Sequence, residues 1–223
     1  MCEPMNPAPP VTIARIGPYR RRSVFVTFEG VDGSGKSTQA ALAAAHLAEG
    51  GREVVATREP GGTPLGERVR ELLLDGPEMS AWAEANLFAA ARAELAVRVI
   101  RPALARGAIV VSDRYIDSSL AYQGAARGLG IERVLELNAA VGDLLPDRTF
   151  VLLVDEATAA SRLGRRPDRI EREGSEFRAA VAAGFRAVSE RFPERIVLLD
   201  GSLPRDELAA QVRERLPVSA ARA

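Results

Sequence analysis

The chain has 223 residues, of which 47% are hydrophobic and 27% charged, and its 30 basic residues balance its 30 acidic ones. These values are typical of one soluble globular domain, and the zero net charge argues against wholesale binding to nucleic acid or to an anionic membrane. With a single cysteine, Cys2, and no run of ~18 uncharged apolar residues, we expect neither a disulfide framework nor a membrane span, and hence a cytoplasmic protein.

The chain begins with a segment of unusual composition and then alternates between apolar runs and helical patterns. Residues 1–22 contain five prolines and three consecutive arginines, which predicts a disordered N-terminal extension and no secretory signal. Five short β-rich runs predict strands, at residues 23–28, 53–57, 108–112, 149–154 and 195–199. Alanine- and leucine-rich segments predict helices, at residues 38–49, 65–74, 81–106, 118–126, 131–142, 156–164, 175–191 and from 205 onward.

This alternation predicts an α/β domain built on a five-stranded parallel sheet with helices on both faces. We expect one domain over residues 23–216, followed by a C-terminal tail at 217–223. Ligands of such sheets bind beyond the carboxyl ends of the strands. The motifs that follow three of the predicted strands are therefore the candidate site.

The first strand leads into Gly30–Ser37, which matches the phosphate-binding pattern G-x-x-x-x-G-K-[ST] at every fixed position. Backbone N–H groups of such a loop surround phosphate oxygens, and the following helix directs its positive end at the same place. Lys36, the only lysine of the chain, would reach the β and γ phosphates of ATP, and the Ser37 hydroxyl would bind Mg²⁺. The sequence therefore predicts a three-layer P-loop NTPase fold. Its predicted ATP-binding residues are Gly30, Asp32, Gly33, Ser34, Gly35, Lys36, Ser37, Thr38 and Arg162.

The sequence lacks two patterns that are typical of GTPase switches. The guanine-binding pattern N-K-x-D needs a lysine, and the only lysine already belongs to the P-loop. No D-x-x-G occurs outside that loop.

Residues 28–38, 57–63 and 112–124 together resemble the three signatures of thymidylate kinases, in the same order and spacing. They read FEGVDGSGKST, TREPGGT and SDRYIDSSLAYQG. The resemblance spans about residues 23–216 and implies a nucleoside-monophosphate kinase that binds ATP, Mg²⁺ and dTMP. It also implies a homodimer, and a short lid at about residues 164–172.

Charged residues at the ends of two predicted strands suit the handling of two phosphates. Arg58 could clamp the phosphate of the acceptor with its guanidinium fork. Asp113 could hold Mg²⁺ through water, while Arg114 could bridge the two phosphates. The alternatives are an ordinary surface arginine and a salt bridge at the end of a strand.

The resemblance assigns further residues to the acceptor. It implies that Asp32 receives the 3′-hydroxyl group, that Phe88 stacks on the thymine ring and that Arg92 bonds a base carbonyl. Ser119, Tyr122 and Gln123 would line the same pocket.

Four arginines, Arg162, Arg165, Arg166 and Arg169, crowd a short loop between two predicted helices. Such a loop is typical of a mobile lid that brings positive charge to the transferred phosphoryl group. Family members carry a catalytic arginine either in the P-loop or in the lid. Because Gly33 occupies the P-loop position, this sequence resembles the second, bacterial arrangement, with Arg165, Arg166 and Arg169 as candidates.

The only histidine, His46, is interpreted as structural, so the candidate site lacks this general base. A phosphate acceptor is already ionised and needs none, which favours transfer from phosphate to phosphate. Two alternatives stay open: another small-molecule P-loop kinase, and a regulatory nucleotide-binding module with no acceptor.

Overall fold

The structure is a computed structural model that describes residues 23–163 and 168–217. Its strands are β1 (Val24–Glu29), β2 (Val54–Arg58), β3 (Ile109–Asp113), β4 (Arg148–Leu153) and β5 (Ile196–Asp200). Its α-helices are α1 (Lys36–Glu49), α2 (Pro64–Asp75), α3 (Ala81–Leu95), α4 (Arg101–Ala105), α5 (Ile116–Ser119), α6 (Ile131–Leu137), α7 (Glu156–Arg162), α8 (Ser175–Arg191) and α9 (Arg205–Arg215).

All five strands pair in parallel in the order β2-β3-β1-β4-β5, as the sequence predicts. β1 is the central strand, and five of its six residues are buried. Its register places Phe28 beside Asp113 of β3 and Phe150 of β4. The carboxyl ends of β1, β2 and β3 therefore meet at one edge, where the predicted motifs lie.

The core is divided by the sheet into two layers. On one face, α1 and α9 cover Val26, Phe28 and Phe150. On the other face, the larger cluster includes Phe25, Leu95 and Phe185 and joins the sheet to the long helices. Burial on both faces explains why the strands are apolar runs and not alternating patterns.

The helix predicted over residues 81–106 is interrupted in the structure. A π-helical turn, Ala96–Ile100, separates α3 from α4, and Pro102 lies in the first turn of α4. Proline is tolerated there because the first N–H groups of a helix have no partner within it. A second π-helical segment, Leu120–Ala126, continues α5 and brings Tyr122 and Gln123 toward the site.

A buried ion pair ties the sheet to the segment after β3. Arg195 donates two hydrogen bonds to Asp117, at 2.6 and 2.7 Å, and Asp117 also accepts one from the Thr149 hydroxyl at 2.9 Å. Thr149 in turn contacts Thr27 on the central strand at 2.9 Å. This network fixes α5, and with it the residues that follow Arg114, against β1 and β4.

Within residues 23–163 and 168–217, we find no helix of the length and apolarity needed to span a bilayer.

Candidate active site

The loop Gly30–Ser37, which we call the cradle, has the glycines that its backbone path requires. Gly30 and Gly33 have φ values of 140° and 81°. A Cβ at Gly30 would lie 2.5 Å from the carbonyl oxygen of Leu152, and one at Gly33 would lie 2.3 Å from that of Ala159. Any larger residue would therefore displace the cradle from the sheet or from α7.

The cradle ends at the open N-terminus of α1. No side chain caps this helix, and its first turn contains no acidic residue. Ser37 and Thr38 are exposed in that turn, whereas Ser34 is buried with a hydroxyl that has no partner in the described part of the chain. Uncapped N–H groups and the helix dipole together make this end a site for an anion such as phosphate.

Lys36 is enclosed by the cradle and is only 6% exposed. Its Nζ donates to Asp32 Oδ1 at 2.9 Å and to the Val31 carbonyl at 3.4 Å. Burial and the nearby charge of Arg114 lower the pKa of Lys36, although Asp32 opposes this effect.

Asp32 joins the cradle to the end of β3. Its Oδ1 accepts from Lys36 and also from Arg114 Nη2, at 2.8 Å. Burial would raise the pKa of Asp32, but the charges of Arg114 and Lys36 hold it well below its usual range. The aspartate is therefore ionised, and its two cations offset the cost of placing a carboxylate beside bound phosphates.

Arg114 is held in an unusual backbone conformation by several bonds. Its φ is 72°, which is uncommon for a residue with a side chain. Its N–H bonds the Phe28 carbonyl at 2.9 Å, and Nη1 donates to the Gly30 carbonyl at 2.8 Å and to Ser118 Oγ at 3.0 Å. Burial would lower the pKa of Arg114, but Tyr122 and the carboxylates of Asp32 and Asp113 raise it above its ordinary value, so its positive charge is permanent.

Ser37 and Asp113 form an all-oxygen pair beside the cradle, with the serine hydroxyl donating to Asp113 Oδ2 at 2.5 Å. The other carboxylate oxygen, Oδ1, is buried and has no partner among the described residues. Mg²⁺ prefers oxygen ligands and completes its shell with water and nucleotide phosphates. The two residues therefore fit a magnesium ion.

Next to the cradle lies a second concavity, which we call the inner cavity. Five of the predicted residues line it: Asp32, Phe88, Arg114, Tyr122 and Gln123. Its other lining residues are Glu59, Pro60, Arg70, Leu74, Ser118, Asp168 and Ile170. Aromatic rings and convergent arginines suit a planar base that carries a phosphate.

Arg92 and Ser119 do not line the inner cavity but lie behind it. Arg92 is 1% exposed and donates to Glu59 at 2.9 Å, to Asn138 at 2.7 Å and to Ser119 at 2.9 Å. The donors of Arg92 bond protein groups in this structure, and the bond to a base carbonyl that the resemblance implies stays a prediction. Here Arg92 supports Glu59 and Ser119.

Arg58 lies at the outer side of the same region. It is 50% exposed and donates to both carboxylate oxygens of Glu67, at 3.0 and 2.8 Å. An exposed ion pair of this kind contributes little to stability, so Arg58 can exchange Glu67 for a phosphate at small cost.

The predicted lid arginines have different surroundings. Arg162 donates to the Gly201 carbonyl at 2.7 Å and approaches the Gly33 carbonyl at 3.4 Å, which keeps it beside the cradle. Arg169 is buried and bonds Glu84 at 2.7 Å, so in this structure it does not face the cradle. Arg165 and Arg166 lie outside the described residues.

Sequence reasoning missed Arg70 and Glu59. Arg70 donates to the Pro60 carbonyl at 3.0 Å and faces the inner cavity from α2. On a helix with several charged residues nothing distinguished it from a solvated arginine. Glu59 belongs to the quoted TREPGGT segment, and its position directly after Arg58 was the available signal.

Glu59 makes stability depend on pH in a predictable direction. Burial outweighs the charge of Arg92 and raises the pKa of Glu59 from 4.5 to about 7. As the pH rises, the unfolded chain loses this proton first, so the contribution to stability is complete below pH ~4.5 and is lost through pH ~7. Across that range we expect the free energy of unfolding of the wild type to fall by roughly 1–3 kcal/mol relative to Glu59→Gln.

Urea unfolding of both proteins at several pH values measures this difference. Parallel curves for the two proteins would show that Glu59 does not titrate in this range.

These features define a P-loop phosphotransferase with two substrate sites. The glycine-rich loop between β1 and α1, with its buried lysine and the nearby oxygen pair, forms one site, and the adjoining basic cavity forms the other.

Comparison with known proteins narrows this class. A family model described as thymidylate kinase matches residues 28–212. The thymidylate kinase of Leifsonia xyli is 50% identical over 204 residues, covering 89% of this chain and 97% of the relative. That of Symbiobacterium thermophilum is 48% identical over 195 residues, covering 86% and 91%. The crystal structure of thymidylate kinase from Ehrlichia chaffeensis has a TM-score of 0.72 at 37% identity and covers 86% of this chain and 97% of its own.

The chain belongs to the thymidylate kinase family and is thus a nucleoside-monophosphate kinase. The predicted fold class and the resemblance are both confirmed.

Proposed function

We propose that the protein transfers the γ-phosphoryl group of Mg-ATP to dTMP, giving dTDP and ADP for the synthesis of dTTP. The observation that carries this proposal is the position of Arg114. Its guanidinium bonds the Gly30 carbonyl of the cradle and also lines the inner cavity. An arginine shared by two anion sites can neutralise the donor and acceptor phosphates together.

On the donor side, the cradle and Lys36 hold the triphosphate. When ATP binds, the β and γ oxygens compete with Asp32 for Lys36, and Asp32 keeps Arg114 as a partner at 2.8 Å. Ser37 and Asp113 are the residues that would hold Mg²⁺, which on binding would neutralise charge on the phosphates. Lys36 and Arg114 supply fixed positive charge where negative charge develops.

On the acceptor side, the inner cavity receives the monophosphate. Phe88 and Tyr122 offer aromatic surface for the base, and Gln123 offers an amide. Arg58 and Arg70 stand on the side of β2 and α2, where the acceptor phosphate would enter. Asp32 reaches the same cavity and is available to the sugar hydroxyl.

The chemistry requires alignment and not a proton acceptor. The acceptor phosphate is ionised near neutral pH, and no histidine lies among the residues that line the inner cavity. Catalysis would come from holding the two phosphates in line within a basic, water-poor site. We propose that Arg162 and the neighbouring loop add charge on the donor side.

An assay of ADP release with Mg-ATP and each common nucleoside monophosphate tests this function. We expect dTMP to give the highest kcat/KM, with little ADP released when no acceptor is present. If another monophosphate is preferred, the alternative of a different monophosphate kinase is correct and the assignment of the base pocket fails. If folded protein binds ATP but phosphorylates none of them, the kinase function itself is wrong.

We propose a cytoplasmic homodimer. The exposed side chains of Leu65, Leu72 and Val97, on α2 and just after α3, support a contact between two copies, since removing apolar side chains from water is favourable. Sedimentation equilibrium tests this proposal: we expect twice the chain mass of 23.9 kDa. A single species at the mass of one chain would refute it.

A further inference from the structure

Glu84 is a buried carboxylate that none of the steps above uses. It lies in the first turn of α3 and is 1% exposed. It accepts from Gln123 Nε2 at 2.9 Å, from Arg127 at 3.2 and 3.1 Å, and from Arg169 at 2.7 Å. The Glu84 side chain thus bonds Gln123, which lines the inner cavity, and also Arg169, which lies in the segment after residues 164–167.

The surroundings keep this carboxylate ionised. Burial would raise the pKa of Glu84, but hydrogen bonds from Arg127, Gln123 and Arg169 hold it below its ordinary value. An ionised carboxylate has no proton to donate, so it can only accept hydrogen bonds.

This fixes the orientation of the Gln123 amide. The NH₂ and carbonyl ends of a glutamine amide have similar shapes, and the hydrogen-bond network decides which end faces which partner. Only the NH₂ end can face Glu84, because a carbonyl there would meet a negative charge. The carbonyl end is therefore directed away from Glu84, and Gln123 lines the inner cavity beside Phe88 and Tyr122.

The orientation of this amide has a consequence for base recognition. The N3 atom of thymine or uracil carries a hydrogen and donates, whereas the N3 atom of cytosine is an acceptor. A carbonyl that faces the base accepts a hydrogen bond from the N3–H group of thymine or uracil. Opposite cytosine the same carbonyl faces another acceptor, and both are left unpaired. Burying unpaired polar groups is costly, so the arrangement rejects the wrong base more strongly than shape alone would.

We propose that Glu84 is a positioning residue for base selectivity: by fixing the polarity of the Gln123 amide, it makes the inner cavity select pyrimidines with an N3–H group over cytosine. This inference rests on the proposed function, because it assumes that the base lies in the inner cavity. It adds a residue that does not contact the substrate. It also gives the cluster of Glu84, Arg127 and Arg169 a role in specificity.

The decisive measurement is the ratio of kcat/KM for dUMP to that for dCMP. These two acceptors both lack the 5-methyl group and differ only at the N3 and C4 edge of the base. In Glu84→Gln the amide can turn over, and we expect this ratio to fall about tenfold or more. A matched control is Glu94→Gln, which removes a partly exposed partner of Arg98 on the same helix and should leave the ratio unchanged.

A double variant separates positioning from a general structural role. A merely structural effect lowers turnover of dUMP and dCMP together and leaves their ratio intact. If Glu84 acts through Gln123, then Glu84→Gln changes the ratio in the wild type and not in a Gln123→Ala background. An unchanged ratio in folded Glu84→Gln, or an equal change in both backgrounds, overturns the proposal.

Two features keep the test conclusive. Loss of a buried carboxylate beside two arginines is destabilising, so Glu84→Gln must first be checked by circular dichroism and thermal unfolding. If it does not fold, Glu84→Asp keeps the charge near Arg127 and Arg169 while it withdraws the carboxylate from Gln123. The same fall in the ratio is then expected. The wild-type preference for dTMP, measured separately, decides the proposed function, whereas the ratio in the variants decides the role of Glu84.

Discussion

Replacing Lys36 with alanine is expected to lower kcat by about a thousandfold, while the protein remains folded. The amine is the only lysine side chain of the chain, and the cradle holds it 6% exposed at the place proposed for the β and γ phosphates. The substitution removes a positive charge whose attraction to the transferred phosphoryl group would be greatest in the transition state. Asp32 retains Arg114 as a partner at 2.8 Å, so the carboxylate is not left unpaired in the variant.

Steady-state kinetics with saturating Mg-ATP and dTMP measures the effect, and ATP binding by calorimetry shows whether the cradle is intact. Lys36→Arg is the more stringent comparison, because it keeps the charge but places a wider, planar group in an enclosed space. We expect this variant to be impaired as well. A Lys36→Arg enzyme with wild-type kcat would mean that only the charge, and not the compact amine, is needed.

Replacing Arg114 with lysine is expected to lower kcat/KM by about 10²–10³-fold. A lysine retains the charge but cannot bond Gly30, Asp32 and Ser118 at once, as the guanidinium does. The loss should appear with dTMP and with any poorer acceptor alike, because the contacts proposed for Arg114 are with phosphates and not with the base.

Arg106→Lys is the matched control, since Arg106 also bonds a carboxylate, that of Glu53, but lies on the exposed surface away from the cradle. A second variant, Arg114→Gly, separates activity from stability. Glycine readily adopts the φ of 72° found at this position, so the backbone favours the substitution while activity is lost. Wild-type activity in either Arg114 variant would refute the shared role of this arginine.

The strands were predictable because burial on both faces leaves little ambiguity in their sequences. The run predicted at residues 53–57 lies at Val54–Arg58, and that at 108–112 lies at Ile109–Asp113. The cradle was predictable for a related reason. Its backbone path requires glycine at fixed positions, and the G-x-x-x-x-G-K-[ST] motif specifies those positions. Asp32 in the cradle needs cationic partners, because an unpaired carboxylate there would repel a phosphate. The structure provides two, Lys36 at four residues' distance and Arg114 at 82.

The surroundings of two predicted site residues, Arg92 and Arg169, depend on contacts between distant parts of the chain. Phe88 and Arg92 lie on the same helix, as their spacing predicts, but Arg92 is drawn inward by Glu59 and Asn138, which lie 33 and 46 residues away. Arg169 belongs to a crowded basic loop in the sequence, yet its partner Glu84 lies 85 residues away. Propensity and motif carry no information about such pairs, and a buried arginine has the same local sequence signal as an exposed one.

The enclosure of Lys36 has a practical consequence for chemical labelling. The chain carries one ε-amino group, and burial together with Arg114 lowers the pKa of that amine, which favours its nucleophilic form. An amine-selective acylating reagent small enough to enter the cradle therefore has a single lysine target. Nucleotide occupancy can then be followed as protection of one peptide in a mass spectrum, without engineered tags or radiolabelled substrate.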